Sequence, residues 1–184
     1  SKNNVVDPTT IINTYGADTA RWFMLSDSPP ARDLEWTESG ITSSFKLINK
    51  VWNLMQESLS AKYKEIIISN NAYLNQKTNE TIESVTNNIE SFHYNKAIAN
   101  LYELINTIQK ALINKNVSQK CFREAFKTLA LLLQPFIPHL SEEMWKEIDE
   151  HIVIHIQEYT WDMDTLYKYL DELSSIHEFQ NQKN

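Results

Sequence analysis

Through most of the first 148 residues, apolar side chains recur at alternating steps of three and four, the period of a helix with one buried face. Ile41, Phe45, Ile48, Trp52, Met55 and Leu59 form one such stripe. It predicts a long helix that starts at a Thr37 cap, carries Glu38 in its first turn and buries this face. Ile98, Leu101, Ile105, Ile108 and Leu112 repeat the pattern within 94–113, and a shorter helix is expected over 78–89. After a Ser118 cap, Phe122, Phe126, Leu129 and Leu133 point inward until Pro135 and Pro138 interrupt the period. Ser141 is expected to cap the next helix, with Glu142 and Glu143 at its positive end. Near the start, Asp7-Pro8 signals a short helix closed at Gly16, and a second runs from 17 to about 25, with Asp18 and Arg21 on one face.

Between these elements, 26–33 (SDSPPARD) reads as a loop and 64–77 as a connector. Beyond His151 the period fails: 152–156 has strand composition, and 162–173 reads as an acidic amphipathic helix. Several amphipathic helices with short links fold most simply as an all-α antiparallel helix bundle. With 2 Gly and 5 Pro, the chain also lacks the turn residues of a sheet-rich fold. Hydrophobic residues at 42% are enough for one packed domain.

The net charge of −7 argues against a protein that wraps nucleic acid with its whole surface. The charge is unevenly spread, however: residues 1–60 carry −2, 61–140 carry +3 and 141–184 carry −8. Only the middle of the chain can present a basic face. On the helix after Ser118, Lys120, Arg123 and Lys127 project at about 0°, 300° and 340°, opposite the apolar stripe at about 180–240°. Lys110 and Lys115 add charge at the end of the preceding helix. Such a stripe is either an ordinary solvated face or a set of phosphate contacts that positions a nucleic acid without reading its bases.

Other chemistry is poorly supported. The single Cys121 excludes a disulfide framework and any multi-cysteine metal site, and the five histidines form no metal-ligand pattern, so no metal is expected. His139, just ahead of a helix, reads as a structural imidazole that satisfies a backbone carbonyl at the turn. Glycines at 16 and 40 alone cannot make a phosphate-binding loop, and no catalytic constellation stands out. No apolar run approaches the roughly 20 residues that span a bilayer, and no membrane partner is expected.

Four stretches together carry a resemblance: SKNNVVDP (1–8), YGADTARWFML (15–25), DLEWTESGI (33–41) with FKLINKVWNL (45–54), and LLLQPFIPHLSEEMW (131–145). They resemble the segment that follows the KMSKS loop in class I aminoacyl-tRNA synthetases. YGAD with Arg21, and the PFIPH stretch, are shared by the leucine, isoleucine and valine enzymes. Asp33-Leu34-Glu35-Trp36 with Gly40, then Phe45, Asn49, Val51 and Trp52, resemble the leucine enzymes, leucyl-tRNA synthetases.

The resemblance implies that Ser1, Lys2, Asn3 and Asn4 are the remnant of the KMSKS loop and that 1–36 is a stem-contact segment. It further implies that 37–148 is a helical bundle of the anticodon-binding type, followed by an acidic tail over 149–184. The partner it implies is tRNA(Leu), held through Lys110, Lys115, Lys120, Arg123 and Lys127. No catalytic residue or cofactor is then expected in this piece; ATP with Mg, and leucine, would be bound by catalytic parts of a longer, cytoplasmic, monomeric leucine–tRNA ligase, leaving the piece alone inactive. Other readings are a helical protein-interaction module, or the equivalent domain of an isoleucyl- or valyl-tRNA synthetase.

Overall fold

Asp7 opens the first helix as its side chain accepts the Thr9 N–H at 3.0 Å, with Pro8 at the first helical position, where an N–H is not needed. The computed structural model describes residues 6–27, 34–60 and 70–148. Within them seven helices follow one another: α1 (Pro8–Tyr15), α2 (Ala17–Asp27), α3 (Glu38–Leu59), α4 (Asn71–Glu90), α5 (Tyr94–Asn114), α6 (Gln119–Leu133) and α7 (Pro138–Ile148). No strand occurs among the described residues. The KMSKS-like residues Ser1 to Asn4, most of the 26–33 loop, residues 64–69 of the connector, and the strand and acidic helix expected beyond residue 148 lie outside the described residues.

Gly16, at φ 85°, makes the corner between α1 and α2 in a backbone conformation that a side chain would strain. Thr37 caps α3 through its hydroxyl, which accepts the Gly40 N–H. Ser118 caps α6 in the same way through the Cys121 N–H. α4 and α5 form an antiparallel hairpin across the three residues 91–93, and α5 turns into α6 across 115–118.

Three local expectations need correction. The inward line of α3 is Ile41, Ser44, Leu47, Val51, Leu54, Met55 and Ser58, rotated from the expected stripe: Phe45 is exposed, and Ile48, Trp52 and Leu59 are half-buried. Two small serines let α3 approach its neighbours where large side chains were expected. α4 begins at Asn71, seven residues before Thr78. Leu74 anchors the added turns by full burial, and the Asn70 N–H donates to the Asn116 carbonyl at 3.0 Å, so tertiary contacts extend a polar segment into helix. α7 begins at Pro138 rather than after Ser141; Ser141 is buried inside it and donates its hydroxyl to the Ile137 carbonyl.

One apolar cluster runs through the bundle, with Met55, Val85, Leu101, Ile108, Phe122 and Phe136 among its buried members. From Thr128 to Leu133 every residue of α6 is buried, which makes α6 the central helix. Trp22 of α2 is fully buried in this same cluster, with its indole N–H donating to the Tyr102 hydroxyl at 3.2 Å. A second, smaller cluster of Ile11, Phe23 and Ile41 ties α1 and α2 to the start of α3. There the Phe23 and Trp36 rings meet edge to face, 4.9 Å between centroids.

Candidate nucleic-acid interface

The basic end of the bundle is built from a pinned turn. The Asn71 side chain accepts the Ser118 N–H at 2.9 Å and donates to the Ser118 hydroxyl at 3.0 Å, tying the α5–α6 link to the start of α4. Val117 is buried beneath it. Gln119 donates to the carbonyl of Leu59 at 3.2 Å, which closes the end of α3. On this fixed backbone Lys115 takes the left-handed conformation at φ 50° that ends α5. Its side chain is exposed, as are those of Lys110 and Lys120.

On α6 the cations face away from Phe122 and Phe126, as the helical angles require: Lys120 and Arg123 are exposed and Lys127 is half-buried. The geometry brings Lys110, Lys115 and Lys120 to one end of the α5–α6 pair. Arg123 has a structural partner as well, because its guanidinium donates to the Ile148 carbonyl at the end of α7 at 2.9 Å. A cation at a helix C-terminus also complements the dipole there. Glu124 shares this face and lowers its charge.

A second polar constellation links α2 to the α6–α7 turn. The Asp18 carboxylate accepts the Leu140 N–H at 2.7 Å and lies 2.8 Å from His139 Nδ1, so a side chain from α2 caps α7. Arg21, one turn on, donates to the carbonyls of Pro135 at 2.8 Å and Phe136 at 3.0 Å. Burial pushes the Arg21 guanidinium down from its ordinary pKa, while the Asp18 charge works the other way. His139 is therefore structural, as the sequence indicated, although its partner is a distant carboxylate and not a carbonyl of the turn. Sequence reasoning had Asp18 and Arg21 on one helix face and did not foresee what they grip. The quoted YGADTAR and PFIPH stretches contain both halves of the contact, and only the tertiary fold joins them.

Cys121 is buried, and its thiol donates to the Asn75 side-chain oxygen at 3.1 Å. Desolvation pushes this thiol up to about 11, which leaves it protonated and unreactive near neutral pH. No three His, Cys, Asp or Glu side chains converge as a metal site among the described residues.

Residues 71–182 match the family model described as "Anticodon-binding domain of tRNA ligase". The chain belongs to this family. Relatives of this anticodon-binding chain include the "Leucine--tRNA ligase" of Jannaschia sp. (strain CCS1), 48% identical over 151 residues, and that of Dinoroseobacter shibae, 48% over 149. In each case the match covers 79% of this chain and 17% of the relative. The Geotalea uraniireducens enzyme of the same name is 41% identical over 157 residues, covering 80% and 19%. The chain thus spans about a sixth to a fifth of the length of these relatives.

Two solved structures share the anticodon-binding fold. One is the ternary complex of Agrobacterium radiobacter K84 agnB2 LeuRS, tRNA and LeuAMS, with TM-score 0.71 and 23% identity over 83% of this chain and 21% of the other. The other is the free-state methionyl-tRNA synthetase of Mycobacterium tuberculosis, with TM-score 0.65 and 20% identity over 78% and 35%. The fold is therefore common to leucine and methionine enzymes and does not by itself name the amino acid.

Proposed function

We propose that this chain is the tRNA-binding helical part of a cytoplasmic leucine–tRNA ligase and positions tRNA(Leu) for ATP-dependent leucylation by the whole enzyme. The observation that carries this reading is the 41–48% identity, over about four-fifths of the chain, to proteins named leucine–tRNA ligase. The exposed Lys110, Lys115 and Lys120, with Lys127 and the outer donors of Arg123, supply the phosphate contacts. Such contacts position the RNA and do not read it, so recognition along this face depends on backbone shape. Residues 1–36 act as the stem-contact segment and 37–148 as the bundle. ATP with Mg, and leucine, belong to the parent enzyme, which works as a monomer; no catalytic group is assigned within these residues.

Titration of the chain with tRNA(Leu) over a salt series tests the reading. Affinity should fall linearly on logarithmic axes, and replacing Lys110, Lys115 and Lys120 together by Ala should lower the slope by about three. Binding that ignores salt and these substitutions would sink it and favour a protein-interaction module. Leucine-dependent pyrophosphate exchange by the chain alone should be absent.

A further inference from the structure

Lys115 and Lys120 flank four residues of the α5–α6 link, and each of the four is held from outside. The Asn116 carbonyl accepts the Asn70 N–H at 3.0 Å, and Val117 is buried. The Asn71 side chain pairs twice with Ser118, and Gln119 donates to the Leu59 carbonyl at 3.2 Å. Ser118 passes the constraint into α6, because its hydroxyl also accepts the Cys121 N–H at 3.2 Å. The Cys121 thiol in turn donates back to Asn75 of α4 at 3.1 Å. Lys115 itself stands at φ 50° and ψ 42°, a left-handed helix end that Gly or Asn occupies with less strain. Such strain persists where the surroundings over-determine it. The fold makes no use of the two ammonium groups: both side chains are exposed, and neither has a hydrogen-bond or ion-pair partner among the described residues.

The charge around the clasp has one sign. From Leu104 to Arg123 the chain carries Lys110, Lys115, Lys120 and Arg123 and no acid, and the facing start of α4 has none from Asn70 to Asn79. Glu57, Glu80, Glu103 and Glu124 border the region without entering it. Both α4 and α6 begin here, and neither has an acid in its first turn, although the helix dipole favours one there.

We propose that Asn71 and Gln119 are positioning residues for RNA binding, fixing the turn so that Lys115 and Lys120 meet backbone phosphates already aimed. This deepens the tRNA-binding reading above and rests on it. Lysine is a point charge on a flexible stem, so its affinity for phosphate depends on how much freedom remains to be lost on contact. A clasped backbone removes the main-chain share of that freedom before the RNA arrives. An amide suits the task at position 71, since it offers an acceptor to the Ser118 N–H and a donor to the Ser118 hydroxyl at once. It does so without placing a negative charge beside the two lysines.

The test measures the affinity of the full 184-residue chain for a tRNA(Leu) transcript at one low salt concentration, in the parent and in a Lys115→Ala/Lys120→Ala background. Urea unfolding establishes that each variant is folded under the assay conditions. In the parent, Asn71→Ala should weaken binding about two- to tenfold, the cost of ordering the released turn and its side chains on contact. In the background without the two lysines the same change should have no effect, because Asn71 acts only through them. Equal weakening in both backgrounds would be a loss of structure alone and overturns the proposal. So does an unweakened Asn71→Ala parent, or an affinity unchanged by removing the lysines; each of these results leaves tRNA binding standing. Gln119→Ala releases the same turn from α3 and should show the same dependence on the lysines, which keeps the comparison decisive if Asn71→Ala does not fold. A parent chain that fails to bind the transcript at low salt overturns both readings.

Discussion

The Asp18 carboxylate caps a helix 122 residues further along the chain, accepting the Leu140 N–H at 2.7 Å. It is almost buried, and its partner His139 lies largely in solvent. The free N–H groups at the start of α7 thus depend on α2, since that helix begins on a proline and has no side-chain cap of its own. Replacing Asp18 by Ala should cost about 2 kcal/mol or more in urea unfolding, because two polar contacts lose their acceptor in a partly desolvated site. Asp18→Asn keeps one oxygen and should cost about half as much. His139→Ala should cost the least of the three, its ring being 71% exposed.

Gly40 lies against an aromatic ring. A β-carbon there would come within 2.4 Å of Phe23 and 2.7 Å of the Thr37 hydroxyl. Ala is the better helix former by about 1 kcal/mol, yet the clash should prevail and Gly40→Ala should destabilise by about 1–3 kcal/mol. The double variant Gly40→Ala/Phe23→Leu should recover part of the loss relative to the sum of the single changes, measured as a shortfall in a double-mutant cycle.

Arg123 and Lys120 occupy the same outer face and should respond differently. Arg123→Ala removes the bond to the Ile148 carbonyl and should cost about 1 kcal/mol of stability. Lys120→Ala should change stability by less than about 0.5 kcal/mol. The effect of Lys120→Ala should appear instead in the salt dependence of tRNA binding, with a slope lower by about one. Chemical denaturation and salt titration of the two variants side by side separate the roles.

The Cys121 thiol is raised from 9.0 to about 11, so the folded chain holds this proton more tightly than the unfolded one. The contribution of this group to stability is complete below pH 9.0 and is lost as pH rises from there to about 11. Subtracting the pH–stability curve of Cys121→Ala from that of the parent should reveal this decline. The thiol should also react with a disulfide reagent only at the rate of unfolding at neutral pH, being buried and protonated.

Much of this architecture was legible because local signals agreed. Asp7-Pro8, Gly16, Thr37 and Ser118 mark helix ends through bonds to residues two to four positions away, and each lies where the sequence placed it. The ends set by distant partners were not legible. α7 starts at Pro138 because Asp18 reaches it from α2, and α4 starts at Asn71 because residues 116–118 receive it. The α3 stripe was misjudged for a related reason: helical period finds a face, but only the neighbours decide whether Phe45 or Ser44 is tolerated inside. The cations of α6 were placed on the correct side by period alone, whereas the attachment of Arg123 to Ile148 lies beyond any local pattern.

The burial of Trp22 has a mechanical consequence. Its ring lies 5.6 Å from Tyr102 and 6.2 Å from Phe136, so α2 is wedged between α5 and the α6–α7 turn while Asp18 and Arg21 grip that turn from the same helix. A force applied to α1–α2 meets close-packed side chains and charged hydrogen bonds, with no soft joint between them. These helices therefore act as a bracket and not as a tether.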